Sequence, residues 1–372
     1  MHGVLISAFD TCYPRVQMLK EYYESKGHEV TFIASNFSHV KKSESSVEGA
    51  DILINVRKYL KNLSIDRLRS HYGFAQDCLK EVRKLQPDFI HCLIPPNALT
   101  KAMATYKKEC PNTKLFFDVI DVWPETMPIN HFKTYWPFSI WKNQRDGFIK
   151  YADVVFTECE LFQSVLPQMN SNKVKTLFWA REEKPLDLYT QLKENEIHFC
   201  YLGAINNIID IDRISSFLSN CQKYKPTVLH IIGHGESKDL LIQSVESQGV
   251  QVIDHGSLYQ QDQKQKVFDQ CHYALNIMKE SVVVGLSMKS LDYMCGQVPL
   301  INTIGGDTNE LCQHYNIGYN LNEENLDALA KQVCEETIEE NLKKRECIKN
   351  IYLRYFTKES FFETLDSIDM FD

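Results

Sequence analysis

The chain of 372 residues is 44% hydrophobic and 24% charged, and its formal net charge is -8. This length predicts two or three domains, each large enough to close its own core, and the composition is typical of a soluble globular protein. Fibrous, disordered and small disulfide-stapled classes are excluded.

The charge is distributed unevenly along the chain. Residues 1–185 hold 25 Lys and Arg against 21 Asp and Glu, whereas the remainder holds 16 against 28. Nucleic acid is therefore a poor partner for the whole chain, because the acidic half would repel a phosphate backbone. The basic half suits an anionic lipid surface or a phosphorylated acceptor.

The first ten residues, MHGVLISAFD, lack the basic and the long apolar segments of a secretory signal, and no run of about 18 apolar residues follows. The twelve cysteines show no C-x-x-C or other metal-ligand spacing. They are typical of small core residues in a reduced, intracellular protein. We therefore expect a cytoplasmic protein that binds no metal and does not span a membrane by itself.

Short apolar runs rich in β-branched residues alternate with amphipathic stretches along the first half of the chain. Such continuous apolar strands, separated by helices, indicate a parallel sheet that is covered on both faces. The predicted strands of this half are 3–7, 29–34, 52–56, 88–94, 115–120, 153–157 and 174–178.

The same pattern restarts after a polar, charged stretch that contains Pro185. The fold-class prediction is therefore α/β, with two tandem doubly wound, Rossmann-like domains over 1–180 and 197–345, a linker over 181–196 and a C-terminal helix over 346–372. Ligands of such sheets bind at the carboxyl ends of strands, so two facing domains predict a site in the cleft between them. The predicted strands of the second half are 197–203, 227–233, 250–256, 273–278 and 299–304.

An ordered set of motifs carries a family resemblance. The second half shows YLG ending at Gly203, IIGHG at 231–235, VIDHG at 252–256 and KSLDYMCGQVP at 289–299, and the first half adds DVIDVWPETMP at 118–128. Together they resemble GT-B glycosyltransferases, and most closely family 4 of these enzymes, of the bacterial surface or capsular polysaccharide type. The resemblance implies an acceptor-binding first domain, a nucleotide-sugar-binding second domain and a final helix that crosses back to the first domain.

Lys289 is the leading catalytic candidate in the second domain. Breaking a bond to a nucleoside diphosphate requires neutralisation of the departing diphosphate, which helix N-termini and a Lys or Arg can supply. Lys289 begins a predicted helix, where a cation opposes the helix dipole, so a functional role is favoured over a solvated surface position. Ser287 either caps this helix or binds phosphate.

The resemblance also implies a Glu-x7-Glu pair, in which the second Glu holds the donor ribose and the first lies near the transferred sugar. Asp292 stands at the second position and Val284 at the first, so the second role is retained in a shorter carboxylate and the first is lost. Glu280 would have to fold back to replace it.

Further donor-binding candidates surround the predicted glycine turns. Gly203 leaves room for phosphate in a turn where the family often has a nearby Arg or Lys, but Asn206 and Asn207 stand there instead. The IDID sequence at 209–212 resembles a metal-binding Asp-x-Asp but is favoured as a helix cap. His234 is either a donor contact or a bystander in its turn. The candidates from these turns are Gly203, Ala204, Asn206, His234, Gly256, Ser257 and Leu258.

Two groups of candidates lie in the first domain. Asp121 and Glu125 follow a predicted strand, where one of them would orient or deprotonate the acceptor hydroxyl, unless Asp121 only caps the next turn. The stretch 57–84 carries eight Lys or Arg against three Asp or Glu, and 131–145 interleaves aromatic and basic residues. Both suit an anionic membrane or a lipid diphosphate, although a solvated helix face and a core-packing loop are the alternatives. The named candidates for this surface are Arg57, Lys58, Lys61, Trp136 and Trp141.

The predicted function is hexosyl transfer from a nucleotide sugar to a lipid-linked or growing glycan in surface polysaccharide synthesis, without a metal or cofactor and with retained configuration. The expected partners are the nucleotide-sugar donor, a glycan or lipid-diphosphate-linked acceptor, and an anionic membrane at the inner face of the plasma membrane. Two alternatives stay open, a nucleotide-sugar epimerase of the same fold and a non-catalytic, glycan-binding partner subunit. Val284 favours the subunit, whereas Lys289 and Asp292 argue against it.

Overall fold

The computed structural model describes residues 1–127, 136, 138–167 and 171–371. It divides the chain into two compact units. The first unit comprises Met1–Arg181 and Lys358–Asp372, and the second comprises Glu182–Thr357. Each unit contains its own parallel sheet.

The first unit is built on a seven-stranded sheet in the order β5-β2-β1-β6-β7-β8-β9, in which every neighbouring pair is parallel. Its central strands are buried along almost their whole length, as the continuous apolar runs predict. The short strands β3 and β4 form a separate antiparallel pair. The strands are β1 (His2–Ser7), β2 (Glu29–Ser35), β3 (Phe37–Ser38), β4 (Ser43–Glu44), β5 (Ile52–Ile54), β6 (Phe89–Ile94), β7 (Lys114–Val119), β8 (Val154–Thr157) and β9 (Val174–Thr176).

Helices connect these strands and cover the sheet. The longest of them, α2 (Ile65–Leu85), is capped at its N-terminus by Ser64, whose side chain accepts a hydrogen bond from the backbone N–H of Arg67 at 3.2 Å. At its C-terminus it is capped by Gln86 in the left-handed conformation. The helices of this part of the chain are α1 (Tyr13–Ser25), α2 (Ile65–Leu85), α3 (Asn97–Glu109), α4 (Phe138–Asp146) and α5 (Glu160–Val165).

The second unit is built on a six-stranded parallel sheet in the order β12-β11-β10-β13-β14-β15. This is the strand order of a doubly wound nucleotide-binding sheet. Successive strands are added on one side of β10 up to β12 and on its other side from β13 onward, so the order of addition reverses between β10 and β13. The prediction of an α/β fold with two doubly wound units is therefore confirmed. The strands are β10 (Ile197–Leu202), β11 (Thr227–Ile232), β12 (Gln251–Asp254), β13 (Tyr273–Asn276), β14 (Leu300–Asn302) and β15 (Gly318–Asn320).

The helices of the second unit enclose a core that includes the fully buried Phe199, Leu275 and Ile301. Within the described ranges, no helix is both long enough and apolar enough to cross a bilayer. The remaining helices of the chain are α6 (Ile211–Gln222), α7 (Lys238–Glu246), α8 (Gln261–Phe268), α9 (Met288–Cys295), α10 (Gly306–His314), α11 (Leu326–Glu335), α12 (Ile338–Tyr355) and α13 (Lys358–Asp366).

The last helix, α13, belongs to the first unit, whereas α12 belongs to the second. The predicted C-terminal helix over 346–372 therefore corresponds to the end of α12, a break near Phe356 and then α13. Helix α13 packs on α1, where Tyr22 donates a hydrogen bond to Asp366 at 2.9 Å and Lys26 forms an ion pair with the same carboxylate at 2.6 Å. The chain thus returns to the sheet with which it began.

Candidate functional site

The candidate site lies at the carboxyl edge of the second sheet, where the strand order reverses between β10 and β13. The loops that follow these two strands contact each other, since the backbone N–H of Lys279 donates to the carbonyl oxygen of Ile208 at 3.0 Å. Ligands of doubly wound sheets bind at this position.

Three glycines shape the turns at this edge. A Cβ atom at Gly233 would lie 2.1 Å from the carbonyl oxygen of Gly203, and one at Gly235 would lie 2.1 Å from that of Ile205. All three glycines have positive φ angles, which other residues adopt only with strain. The turns after β10 and β11 therefore pack backbone against backbone. At Gly203, by contrast, a Cβ atom would have no other atom within 4 Å, so space is open beside it.

The two other candidates in the turn after β10 differ in their surroundings. Ala204 is exposed, and its carbonyl oxygen accepts a hydrogen bond from the Tyr201 hydroxyl at 3.1 Å. Asn206 is half-buried, and its side-chain oxygen accepts from the backbone N–H of Ile208 at 3.2 Å. This bond closes the turn locally, so Asn206 shapes the loop.

Lys289 lies in the first turn of α9 and reaches toward the turn after β10. Its Nζ donates to the Tyr201 hydroxyl at 3.2 Å and lies 4.7 Å from the centre of the Tyr201 ring. No carboxylate pairs with this ammonium among the described residues, and burial lowers the pKa of Lys289 to about 8. A half-buried cation without a carboxylate partner is suited to binding an anionic ligand.

Ser287 performs the capping role that the sequence left open. Its hydroxyl accepts from the backbone N–H of Ser290 at 3.1 Å, and it contacts the Ser290 hydroxyl at 2.8 Å. Ser290 accepts in turn from the side chain of Asn276 at 3.0 Å. The start of α9, and with it Lys289, is thereby fixed to the end of β13.

A row of asparagines extends this support and was not predicted from the sequence. The Asn276 amide nitrogen donates to Asn302 at 2.9 Å, and the Asn302 amide nitrogen donates to Asn320 at 2.8 Å. These residues end three neighbouring strands, β13, β14 and β15. The signal in the sequence that could have predicted this row is an Asn at the end of each of three successive strands.

Asp292 and the carboxylate considered as a replacement for the missing Glu are both ion-paired. Asp292 lies 2.6 Å from Lys264 of α8, and both side chains are largely buried. Glu280 is 77% exposed and pairs with Arg213 at 3.0 Å, so it does not fold back to the position of Val284. Val284 packs against the core of the unit. Glu280 is therefore not placed to substitute for the missing Glu, which agrees with its position four residues too early in the sequence.

The turn after β12 lies beside the turn after β11. The backbone N–H of Gly233 donates to the carbonyl oxygen of Gly256 at 2.7 Å, and His234 Nδ1 lies 3.1 Å from the Ser257 hydroxyl. Ser257 is exposed and Leu258 is half-buried. Two contacts, Gly233 with Gly256 and His234 with Ser257, thus join the two turns, and Gly233 lies against the backbone of Gly203.

Four histidines in the second unit form a second feature that was not predicted. His198 and His230 of β10 and β11 are joined by a ring-to-ring hydrogen bond of 2.9 Å, and His230 and His255 by another of 2.9 Å. His272 accepts from the backbone N–H of His198 at 3.0 Å. Burial, together with His198 and His255, lowers the pKa of His230 to about 3. Over the described ranges, no group of three or more His, Cys, Asp or Glu side chains could hold a metal ion.

The Asp-x-Asp sequence serves the start of α6. Asp210 accepts a hydrogen bond from the backbone N–H of Arg213 at 3.1 Å, which is the capping role favoured from the sequence, and Asp212 is exposed in the first turn.

In the first unit, Asp121 and Glu125 follow β7, but their surroundings differ. Asp121 accepts a hydrogen bond from Thr126, and burial raises its pKa. Glu125 contacts Arg145 at 2.9 Å and Lys142 at 2.7 Å. Burial alone would raise the pKa of Glu125, but these two cations lower it overall. The arrangement makes Glu125 a weak base and favours a role in holding α4 on the turn after β7.

The basic residues named for the membrane and acceptor surface lie at the surface of the first unit. Arg57 pairs with Asp66 at 2.9 Å and Lys58 with Glu44 at 3.0 Å, and all four side chains are about half exposed or more. Lys61 is also exposed.

The aromatic part of that surface is divided. Trp136 is 76% exposed. Trp141 is 7% exposed and packs against Trp123 with ring centres 5.6 Å apart, so it is not an exposed interfacial side chain and fits the alternative of a core-packing loop. The residues 131–135 and 137 of the predicted stretch lie outside the described residues.

A known protein family resembles most of the second unit. Residues 196–336 match a family model described as Glycosyl transferases group 1. A comparison with curated protein sequences gives no significant match.

Solved structures cover almost the whole chain. The apo form of the lipopolysaccharide outer core galactosyltransferase WaaB is 13% identical over 99% of both chains, with a TM-score of 0.69. HepE of Anabaena in complex with UDP and glucose is 11% identical over 99% of this chain and 98% of its own, with a TM-score of 0.64. TarM of S. aureus in a complex that includes UDP is 10% identical over 99% of both, with a TM-score of 0.64. The chain therefore has the GT-B fold of these structures, and residues 196–336 of its second unit match the glycosyl transferases group 1 model.

Proposed function

We propose that the chain is a glycosyltransferase that transfers a hexose from a nucleoside-diphosphate donor held by the second unit. The main observation behind this proposal is the pair of hydrogen bonds made by the Tyr201 hydroxyl. It donates to the Ala204 carbonyl oxygen at 3.1 Å and accepts from the Lys289 ammonium at 3.2 Å. Lys289, which has no carboxylate partner among the described residues, therefore lies beside the open turn at Gly203. The family match over 196–336 supports the same function.

In the proposed reaction, negative charge builds up on the departing diphosphate, which Lys289 is proposed to bind. As the bond between the anomeric carbon and the diphosphate oxygen breaks, the electron pair stays on that oxygen. The oxygen of the acceptor hydroxyl bonds to the anomeric carbon and loses its proton. A cation in a desolvated position stabilises the departing diphosphate more than it would in water, so the reaction is proposed to need no metal ion.

We assign proton removal from the acceptor to Asp121 rather than to Glu125. Burial raises the pKa of Asp121, which makes it a stronger base than an ordinary aspartate. Glu125 is held by Arg145 and Lys142 and has a lowered pKa. Retention of the anomeric configuration remains part of the proposal.

We propose uridine diphosphate as the first nucleotide to test and a lipid-linked or growing surface glycan as the acceptor. HepE and TarM were solved with UDP, and WaaB is a lipopolysaccharide galactosyltransferase. The motif at 118–128 suits the family 4 enzymes of bacterial surface polysaccharides. These likenesses are the support for this choice.

Calorimetric titration with UDP, GDP and ADP tests the donor site. We expect Lys289→Ala to weaken diphosphate binding at least about tenfold, which corresponds to about 1.4 kcal/mol. Lys266→Ala is the matched control, because Lys266 is an exposed lysine of the same unit. Equal affinities of Lys289→Ala and the unchanged protein would contradict the assignment. Donor hydrolysis with each common nucleotide sugar then measures turnover.

A non-catalytic partner subunit is the second candidate function. The observation in its favour is Val284, which packs into the core at the position of the missing Glu. That candidate predicts nucleoside-diphosphate binding without hydrolysis or transfer for any nucleotide sugar. Turnover above the background rate would eliminate it.

We further propose that the first unit contacts an anionic membrane at the cytoplasmic leaflet. The exposed basic residues Arg57, Lys58 and Lys61 flank Leu60, which is 80% exposed. Basic and apolar side chains together favour the interface of an anionic bilayer. Flotation with vesicles of anionic lipid at low salt tests this surface, and a protein that remains at the bottom of the gradient would contradict it.

A further inference from the structure

Helix α9 carries two side chains of opposite charge about one turn apart, Lys289 and Asp292. Side chains three positions apart are neighbours on a helix, so these two could form an ion pair. Within the described part of the chain they do not pair with each other. The Lys289 ammonium donates to the Tyr201 hydroxyl at 3.2 Å, whereas Asp292 Oδ1 accepts from Lys264 Nζ at 2.6 Å. Burial lowers the pKa of Lys289 to about 8, and a carboxylate paired with its ammonium would oppose this shift.

Lys264 reaches Asp292 from α8, which also contacts α9 at a second point. The side-chain nitrogen of Gln265 donates to the carbonyl oxygen of Gly296 at 3.2 Å. The side chains of Lys264 and Asp292 are 17% and 16% exposed, so water screens this ion pair only weakly. The pair is therefore part of the packed contact between the two helices.

Helix α9 is in turn fixed to the sheet. The Tyr293 hydroxyl accepts from the backbone N–H of Leu202 at 2.7 Å and donates to the carbonyl oxygen of Leu275 at 3.3 Å. These two residues belong to β10 and β13, between which the strand order reverses. Lys289 and Asp292 are therefore held at the edge where the diphosphate is proposed to bind.

A carboxylate one turn from the phosphate-binding ammonium opposes diphosphate binding in two ways. It repels the ligand, and it competes with the ligand for the ammonium. The ion pair with Lys264 reduces both effects, because it neutralises Asp292 and holds its carboxylate against α8.

We propose that Lys264 is a positioning residue of the donor site, which holds and neutralises the Asp292 carboxylate and so keeps the Lys289 ammonium available to the diphosphate. This inference rests on the proposed glycosyltransferase function. Lys264 thus contributes to diphosphate binding through Asp292, without contacting the ligand.

Calorimetric titration of the full chain with inorganic pyrophosphate tests this role, because pyrophosphate has no ribose or base to contact Asp292. We expect Lys264→Met to weaken pyrophosphate binding at least about tenfold, since it leaves a largely buried carboxylate without this partner. Lys264→Arg should retain the binding. Lys266→Met is the matched control, because Lys266 is a 77% exposed lysine of the same helix, and it should bind as the unchanged protein does.

A double variant separates positioning from direct contact. Lys264→Met combined with Asp292→Asn has no carboxylate left to compete, so its pyrophosphate affinity should return to within about twofold of the unchanged protein. A double variant as weak as Lys264→Met would overturn the inference in favour of direct contact between Lys264 and phosphate. Undiminished binding in Lys264→Met would also overturn it. If Lys264→Met does not fold by circular dichroism, the double variant alone decides between the two roles.

A second measurement needs no ligand. NMR titration of isotope-labelled lysine side chains, with Lys289→Arg to assign the signal, follows the protonation of Lys289. We expect the pKa of Lys289 to rise in Lys264→Met and to return in the double variant, whereas a merely loosened site would raise it in both.

The two measurements distinguish this inference from the proposed function. Failure of the unchanged protein to bind UDP or pyrophosphate would defeat the proposed donor site and, with it, this role of Lys264. Normal UDP binding together with an unshifted pKa of Lys289 in Lys264→Met would defeat only the inference.

Discussion

Lys289 is a titrating cation near neutral pH, because burial lowers its pKa to about 8. Below this pH the free protein carries the charge, and above it the amine must take up a proton before it can pair with a diphosphate. We therefore expect UDP affinity to fall as pH rises from 7 to 9.5, by up to about tenfold per pH unit above 8. Calorimetry in buffers of different ionisation enthalpy should show proton uptake. Lys289→Arg should remove the pH dependence of UDP affinity. A pH-independent affinity in the unchanged protein would argue against contact between the Lys289 ammonium and the diphosphate.

Gly233 illustrates a residue that the fold requires to be small. We expect Gly233→Ala to destabilise the second unit by more than about 1–3 kcal/mol, because its Cβ would meet the Gly203 carbonyl oxygen at 2.1 Å and its φ is +150°. Gly249→Ala is the matched control, since Gly249 also has a positive φ but no atom within 4 Å of the new Cβ. Urea unfolding measures both, and equal losses would show that the close approach contributes nothing.

At the scale of the strands, the histidine row joins β10 to β11 and to the end of β12. His198, His230 and His255 have lowered pKa values, mainly through burial, although Glu196 partly opposes the shift at His198. A lowered folded-state pKa gives stability that is complete above about pH 6.5 and is lost as pH falls.

We therefore expect the second unit to lose up to about 1.4 kcal/mol per pH unit for each such histidine below pH 6.5. Urea unfolding at pH 7.5, 6.0 and 5.0 measures this slope. His230→Leu should reduce it, while His314→Leu, an exposed histidine of α10, should not. Identical slopes in the two variants would remove the row as the cause.

The positions of strands and helices along the chain could be predicted more completely than the contacts between neighbouring strands and helices. The apolar run 197–203 predicts β10 at Ile197–Leu202, and the Gly turn and Lys289 follow from motifs that are local in the chain. The asparagine row depends on β13, β14 and β15 being neighbours, which local periodicity does not specify. The pairing of Asp292 with Lys264 depends on how two helices pack. Contacts set by sheet order and helix packing are therefore the part that sequence patterns missed.

At the scale of the whole molecule, residues after 358 complete the first unit. Phe361 and Leu365 of α13 are buried, and the Phe361 ring lies 5.2 Å from the guanidinium carbon of Arg15. Arg15 forms a buried ion pair with Asp118 of β7 at 2.7 Å. Removal of α13 therefore exposes a charge pair that the fold keeps dry.

A chain that ends at Thr357 should show a destabilised first unit and a second unit that still binds UDP. Limited proteolysis should cut it within 1–181 faster than the full chain, while the affinity for UDP stays within about twofold. Asp366→Asn serves as a mild control, because it removes the half-exposed ion pair with Lys26 and keeps an amide oxygen that can accept the hydrogen bond from Tyr22. Loss of UDP binding in the shortened chain would show that the second unit does not fold independently.

The return of the chain at Lys358 also sets an order of events during synthesis. The second unit is encoded entirely between two parts of the first, so the ribosome synthesises all of Glu182–Thr357 before α13. Domains that are continuous in sequence can fold as they emerge, but a discontinuous one must wait. The first unit can therefore reach its final packing only after translation has passed Lys358, and until then its α1 surface around Tyr22 is open to chaperones.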